Sequence, residues 1–436
     1  MKPSLLSSLQ NKTISLLGYG VSNRAVCKYL MKNNIYPTIR NNTEVNLPSG
    51  VSGIFGQGHE NACEDVVFRS PSWRAKDKRV GQEVYTDISF FLDDISAFKI
   101  GVTGSDGKTT TTTLIYKMLL ASGKVAHLGG NIGVPIASVY EKIKKEDFLC
   151  LELSSFQLFD YAPMLDIAIV TSLSQNHLDW HRDEDEYFLS KANIVKNAKK
   201  QIINYDISNR ELFSGNNLAY FSVNNCESLL NNKNDFVYIK NGYIYYNKTR
   251  LFSIDGIKLR GKYNLYNILG ATLALYDIVP LEKIKEVAYS YKGEPHRSEH
   301  ISTQGGVFFV DSSADSTPTR TISTLSAYPK NRVIAIMGGY DKCLDYTPLK
   351  DACKELLGVI LFGANRDKIA RALTGTRKLI LANDIYEATK IAYGLAKKGD
   401  YIILTPASAS FDMFENYIDR AEKFKDAIRG LENGEN

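Results

Sequence analysis

The sequence predicts an α/β protein of three domains, and three observations carry that prediction. An apolar run from Thr13 to Leu17 enters Gly18-Tyr19-Gly20 and is followed by a helical pattern through Leu30. A β-branched run, Ile100 to Thr103, breaks into Gly104-Ser105-Asp106-Gly107-Lys108-Thr109-Thr110, after which Leu114, Ile115, Met118 and Leu119 recur at helical spacing. From Val307 onward, strand-like runs alternate with helical patterns. The expected architecture is a Rossmann-like N-terminal domain at 1–95, a central phosphate-loop domain at 96–292 and a C-terminal doubly wound Rossmann-like domain at 293–436.

Composition narrows the class. With 436 residues, 44% hydrophobic and 23% charged, the chain is an ordinary globular one, too long for a single core. Its net charge of +5 forms no long basic block, which argues against nucleic acid as a partner. No apolar stretch approaches the roughly 18 residues of a membrane helix, and MKPSLLSSLQNK is too short and polar for a signal peptide. A cytoplasmic protein without a membrane partner is expected. The six cysteines, at 27, 63, 150, 226, 343 and 353, contain no C-x-x-C pair, so free thiols are expected.

In the N-terminal part, Asn23 replaces the third glycine of a dinucleotide turn. Gly18-Tyr19-Gly20-Val21-Ser22 therefore reads either as a plain tight turn or as a cradle for a diphosphate. The second strand, Tyr36 to Ile39, ends in Arg40-Asn41-Asn42, without the acid that would hold a ribose; this argues against NAD and leaves another nucleotide open. A third strand, Asp65 to Phe68, runs into Arg69-Ser70-Pro71-Ser72, and Val84 to Asp87 gives a further strand signal.

The central stretch carries the chemistry. Glycines let backbone N–H groups approach phosphate oxygens, the helix N-terminus adds positive potential, lysine neutralises charge and threonine can ligate Mg²⁺. Gly104 to Thr110 supplies all of these, although Val102 stands where the general pattern has its first glycine. Lys124 to Leu128 opens into Gly129-Gly130-Asn131-Ile132-Gly133, a loop able to clamp a second substrate. The run Phe148 to Leu151 ends in Glu152, either a Mg²⁺ ligand or an exposed strand end, and then Leu153-Ser154-Ser155. After Ile167 to Thr171, His177 and His181 stand four apart without the glutamate of a zinc protease, so one histidine is read as a Mg²⁺ ligand. A helix from Glu184 to Lys199 points Lys191 inward among Tyr187, Phe188 and Ile194, while on its own Lys191 reads as a solvated charge.

Alternation around Asn241-Gly242 predicts a hairpin, and the Leu259-to-Asn267 stretch begins an apolar helix that runs through Leu275. Gly293 to Glu299 reads as a domain joint. Three C-terminal strand ends form one candidate rim: Asp311-Ser312-Ser313, Gly338 to Lys342, and Thr405 to Asp412.

In order along the chain, TGSDGKTT, LELSSFQL, NHLDWH, the helix with Lys191, PHRSE and TPASASFDMF resemble the Mur ligases, over Gly18 to Phe424. The resemblance implies three domains that take a UDP moiety, ATP and an incoming amino acid, the central one being an ATPase domain. It implies an ADP-forming ligase of peptidoglycan precursor synthesis that activates a carboxylate as an acyl phosphate. Its strongest form points to addition of D-glutamate to UDP-N-acetylmuramoyl-L-alanine by a monomer using two Mg²⁺ ions. By the same resemblance Gly104 to Thr110, Asn267, Arg297 and Asp311 bind ATP; Thr109, Glu152, His177 and carbamylated Lys191 hold metal; and Lys108, Lys191, His177 and Glu152 are catalytic. Gly18, Gly20, Ser22, Asn131, Ser154, Lys342, Ser410, Phe411 and Tyr417 are the implied substrate contacts. Two residues depart from the family: Ser313 stands where some members carry lysine, and Tyr263 where histidine is common. Alternatives are a Mur-type ligase for another amino acid, a folylpolyglutamate-synthase-like ligase, which should lack the N-terminal GxG domain, and a phosphate-loop kinase or switch protein.

Overall fold

The computed structural model describes residues 5–74, 80–174, 177, 180–215, 217–230, 234–259, 261–342, 344–376 and 378–433. Gln175, Asn176, Leu178 and Asp179 of the histidine motif, together with Arg260 and Cys343, lie outside the described residues. The chain divides into two compact units, Met1–Gly256 with Tyr266–Tyr289, and Ile257–Leu265 with Ser290–Asn436.

The first unit contains two sheets. In one, β1 (Ile14–Leu17), β2 (Thr38–Asn41), β3 (Ser52–Phe55), β4 (Val66–Arg69) and β5 (Glu83–Tyr85) run parallel in the order β3-β2-β1-β4-β5. Strand order reverses at β1, which makes the crevice above the carboxyl ends of β1 and β4 the natural ligand entry. Asn23 explains why a third glycine is dispensable here. Its buried amide donates to the carbonyls of Leu17, Gly18 and Phe68 at 3.1, 2.7 and 2.9 Å, bracing the Val21–Lys32 helix by hydrogen bonds.

The other sheet holds β6 (Phe98–Thr103), β7 (Ala126–Gly130), β8 (Phe148–Glu152), β9 (Met164–Val170), β10 (Asn197–Asn204), β11 (Leu218–Ser222), β12 (Asp235–Lys240), β13 (Tyr243–Tyr246) and β14 (Thr249–Ser253). Their order is β14-β13-β12-β11-β10-β9-β6-β8-β7, parallel except for the β12-β13-β14 meander. The predicted hairpin forms, with Asn241 and Gly242 both at positive φ, 49° and 75°, as a tight two-residue turn requires. The helix expected over 184–199 instead spans Glu184–Ala192, and Asn197–Asn204 is a strand. Its polar first half looks helical locally, but pairing with β9 and β11 decides: Lys199 reaches Asp166 at 2.8 Å, and its second half is buried.

The second unit builds a sheet from β15 (Glu299–Gln304), β16 (Val307–Asp311), β17 (Val333–Gly338), β18 (Gly358–Phe362), β19 (Leu379–Leu381) and β20 (Tyr401–Leu404), in the order β15-β16-β20-β17-β18-β19. Only β15 is antiparallel. Alternate residues feed two separate cores, Met337, Leu361 and Ile403 on one face and Ile336, Phe362 and Leu404 on the other. Apolar cores on both faces are what a doubly wound sheet demands.

Candidate active site

The site begins where β6 ends. Gly104 (φ 151°) and Gly107 (φ 84°) bracket the loop, and Gly107 caps the Lys108–Ala121 helix. A Cβ at Gly104 would come within 2.0 Å of Thr171 Oγ1, and one at Gly107 within 2.3 Å of Asn267 Oδ1, so neither tolerates a side chain. A helix of 14 residues, free of acids in its first turn, aims its N-terminus at this loop. That arrangement suits phosphate oxygens.

Two lysines converge on one atom of the loop. Lys108 Nζ donates to the carbonyls of Gly104 and Ser105 at 2.8 and 3.0 Å, and Lys191 Nζ donates to Gly104 O at 2.8 Å. Lys191 is 2% exposed, with its ammonium 4.6 Å from the Tyr187 ring centroid. It is therefore no solvated charge. Burial, reinforced by Lys108 and opposed by Asp106 and Glu152, pulls its pKa well below the usual lysine range. Tyr187, one turn before Lys191, donates its hydroxyl to Ser105 Oγ at 3.0 Å. Sequence reading used Tyr187 only as an apolar neighbour; the four-residue spacing to Lys191 was the available signal.

Glu152, 3% exposed at the end of β8, is held by uncharged donors. Thr109 Oγ1 donates to Oε2 at 2.7 Å and Asn131 Nδ2 to Oε1 at 2.8 Å. A buried carboxylate adjoining a threonine hydroxyl suits a hard divalent cation, so the donor set fits Mg²⁺. The substrate candidate Asn131 thus meets the metal candidates Glu152 and Thr109. His177 stands exposed with left-handed backbone (φ 57°), its ring 4.9 Å from that of Phe156. Four residues on, His181 is buried, its Nε2 2.9 Å from Ser155 Oγ, and burial lowers its pKa. Ser154 is occupied locally, because its hydroxyl and Gln157 form a capping box on the Ser155–Leu158 helix.

At the first sheet, Gly18 (φ 79°) donates its N–H to Arg40 O at 2.8 Å, and Tyr19 N–H donates to Asn41 Oδ1 at 3.1 Å. A Cβ on Gly18 would strike the Trp73 indole at 2.5 Å. Gly20 caps the Val21–Lys32 helix, whose first turn holds the half-buried Ser22.

In the second unit, His296 Nδ1 lies 2.7 Å from Asp311 Oδ2, and Ser313 N–H donates to Asp311 Oδ1 at 2.8 Å. The hydrogen bond to Asp311 outweighs burial and raises the His296 pKa. His296 (φ 63°) and Ser298 (φ 52°), which flank Arg297, both hold left-handed backbone. Ser313 donates its hydroxyl to Tyr417 O at 2.8 Å and accepts from Arg420 Nε at 3.0 Å. Arg420, fully buried, also donates to the carbonyls of Ser313, Ser408 and Ala409. Burial lowers its pKa only to about 10, so it remains a cation. Sequence reading missed Arg420, and no local motif marks it. Tyr340 N–H donates to Ala409 O at 2.9 Å, which brings the Lys342 loop beside Ser410. Lys342, Phe411 and Tyr417 are exposed there, and Ser410 is buried.

Comparison with known proteins identifies the family. Residues 102–275 match the Mur ligase middle domain. The chain is 34% identical to a UDP-N-acetylmuramoylalanine–D-glutamate ligase of Clostridium perfringens, covering 97% of this chain and 98% of that one. It is 36% identical to the protein of the same name in Clostridium acetobutylicum, with 97% of each covered. Among solved structures, it resembles a UDP-N-acetylmuramate-alanine ligase of Thermotoga maritima with TM-score 0.65 at 15% identity, over 97% of this chain and 100% of that one. A MurF ligase of the same organism, in complex with ADP, gives TM-score 0.61 at 15% identity over 98% of each chain. A phosphate loop backed by a buried carboxylate and lysine, set in an α/β fold shared along nearly the whole length, makes this chain a member of the UDP-N-acetylmuramoylalanine–D-glutamate ligases among the Mur ligases.

Proposed function

We propose that the protein is an ATP-dependent ligase that joins D-glutamate to UDP-N-acetylmuramoyl-L-alanine in cytoplasmic peptidoglycan precursor synthesis. One observation carries the reading furthest: the Asn131–Glu152–Thr109 chain of hydrogen bonds, lying at the same phosphate loop on which Lys108 and the buried Lys191 converge. In the reaction, a substrate carboxylate oxygen attacks the γ-phosphorus and ADP leaves. The amine of D-glutamate then attacks the acyl carbon and phosphate leaves. Lys108 and the loop N–H groups offset phosphate charge. Thr109, Glu152, His177 and Lys191 as its carbamate would hold the Mg²⁺ ions, which supply electrostatic stabilisation of the transferring phosphoryl group. The unprotonated amine is the form of lysine that takes up CO₂, and burial shifts Lys191 toward that form.

The boundaries 1–95, 96–292 and 293–436 are the proposed limits of the UDP-substrate, ATP and amino-acid domains, with Gly18, Gly20, Ser22, Asn131 and Ser154 toward the first substrate. Asn267, Arg297 and Asp311 complete the proposed ATP contacts; Lys342, Ser410, Phe411 and Tyr417 face the amino acid. The protein is proposed to act as a monomer. Ser313 in place of a lysine favours, as a second reading, a ligase for another amino acid. Incubation with ATP, Mg²⁺, UDP-N-acetylmuramoyl-L-alanine and a panel of amino acids, with the product identified by mass, separates the two; no product with any amino acid would refute both.

A further inference from the structure

The loop that leaves β4 touches two different elements of its unit. Trp73 packs on the Gly18 turn so closely that a Cβ there would lie 2.5 Å from its indole nitrogen. The next residue, Arg74, faces the other way: its Nη2 lies 2.7 Å from Glu186 Oε1, and its Nη1 donates to Trp180 O at 3.4 Å. Its guanidinium also sits 4.9 Å from the Phe159 ring centroid and 5.6 Å from that of Trp180. Trp180 answers by donating its indole N–H to Ser72 O at 2.7 Å. At the base of the loop, buried Arg69 is anchored to Asp160 Oδ1 at 2.7 Å and Phe156 O at 3.2 Å.

Glu186 belongs to the Glu184–Ala192 helix that carries Lys191. Its second oxygen accepts the Arg182 N–H at 2.9 Å and lies 3.6 Å from His181 Nδ1. Burial pushes its pKa up, but the Arg182 N–H and Arg74 outweigh burial and keep the carboxylate charged. The neighbouring Tyr187 holds Ser105, and Lys191 holds Gly104, both in the phosphate loop. One short helix therefore has its first turn tied to the β4 loop and its remainder tied to the phosphate loop. With side-chain exposures of 30% and 14%, and three further contacts fixing the guanidinium, Arg74–Glu186 is not an ordinary surface ion pair.

We propose that Arg74 and Glu186 form a positioning pair through which a nucleoside diphosphate substrate on the Gly18–Gly20 turn sets the Lys191 helix against the phosphate loop. This rests on the functional reading above. A diphosphate entering at Gly18 meets Trp73 first, and the peptide link passes any shift of Trp73 to Arg74, whose stacked fork transmits it to Glu186. Arginine is required because lysine could keep the ion pair but not the stacking on Phe159 and Trp180.

The test is steady-state kinetics of the full-length protein with ATP, Mg²⁺, UDP-N-acetylmuramoyl-L-alanine and D-glutamate. Arg74→Ala and Glu186→Gln should each raise the KM for the UDP substrate at least fivefold and lower kcat, with the KM for ATP within twofold of wild type. Arg74→Lys should recover part of the loss. The double variant should be no worse than the worse single, because both changes break one interaction. Independent multiplication of the two losses, an unchanged KM for the UDP substrate, or a fall in kcat alone that tracks a fall in melting temperature would each overturn the pair and leave the functional reading standing. Wild type that ignores the UDP substrate altogether would overturn both.

Discussion

Lys108 and Lys191 donate to the same oxygen, the carbonyl of Gly104, each at 2.8 Å. Two ammonium groups beside one carbonyl repel, and burial away from water adds to the cost of charge on Lys191. The pKa of Lys191 is accordingly depressed, with burial the larger cause and Lys108 the next. We expect carbamylation at Lys191, seen as a carbamate carbon signal after incubation with ¹³C-bicarbonate. Lys191→Ala should lose about 10²-fold or more in kcat, with formate restoring part of it by refilling the anionic position. A variant of near wild-type rate, or no carbamate signal in active enzyme, would exclude this role.

Lys108→Ala should abolish ligation while leaving the UDP substrate bound, because the Gly18 turn belongs to a different sheet from the phosphate loop. Calorimetry with the UDP substrate and a product assay on the same preparation decide it. Loss of both binding and turnover would mean that the variant is misfolded or that Lys108 serves the other substrate.

Glu152→Gln keeps the size of the side chain but removes its charge, so Thr109 and Asn131 can still find partners. The expected result is a folded protein whose half-saturating Mg²⁺ concentration rises at least tenfold. Chelation of Mg²⁺ should silence wild type. An unchanged Mg²⁺ dependence in the variant would remove Glu152 from the metal site.

The local motifs explain how much of this was legible. A phosphate loop is a contiguous pattern, and Glu152 sits where a buried apolar run stops, so both can be read within a dozen residues. Lys191 could be aimed inward by its spacing from Tyr187, but its burial depends on Gly104, which lies 87 residues away in the chain. Arg74 and Arg420 were not legible, because an arginine in a loop or on a charged helix looks the same whether it faces solvent or buried protein oxygens. The expected helix runs on to Lys199, past its end at Ala192 and into the first residues of the strand Asn197–Asn204, for a related reason, since that strand's partners β9 and β11 are non-local.

Asp87 gives a stability prediction with a definite sign. It is 1% exposed, neither carboxylate oxygen makes a hydrogen bond of good geometry among the described residues, and burial raises its pKa to about 6 against the opposing pull of the nearby Ile88, Asp87 and Ile136 N–H groups and the Ser22 hydroxyl. A carboxyl whose folded pKa exceeds its unfolded value of 3.8 binds more protons when folded, so stability falls as pH rises from about 4 to about 6. Asp87→Asn should therefore stabilise the protein by about 1–3 kcal/mol above pH 6 and by little below pH 4. Thermal melts at pH 4 and pH 7.5 test this; greater stabilisation at the lower pH would reverse the assignment.

The acceptor pocket yields the last prediction. D-glutamate brings two carboxylates and must present a neutral amine, so cations or N–H donors have to meet both acids without masking the amine. Two cations of the second unit are candidates, Arg420 and Lys342. Arg420 stands beside Ser313, yet it is fully buried and its donors are committed to Ser313 Oγ and to the carbonyls of Ser313, Ser408 and Ala409. Its work is to fix the backbone that carries Ser410. Lys342 is exposed on a loop that the Tyr340–Ala409 hydrogen bond holds against Ser410, so its ammonium is the one able to meet a ligand. Lys342→Ala should raise the KM for D-glutamate at least tenfold with the KM for ATP nearly unchanged, as expected when one subsite alone loses charge. Arg420→Lys should instead lower the melting temperature and kcat together, because lysine cannot serve four oxygens at once. If Lys342→Ala binds D-glutamate normally while Arg420→Lys loses only D-glutamate affinity, the two roles are exchanged.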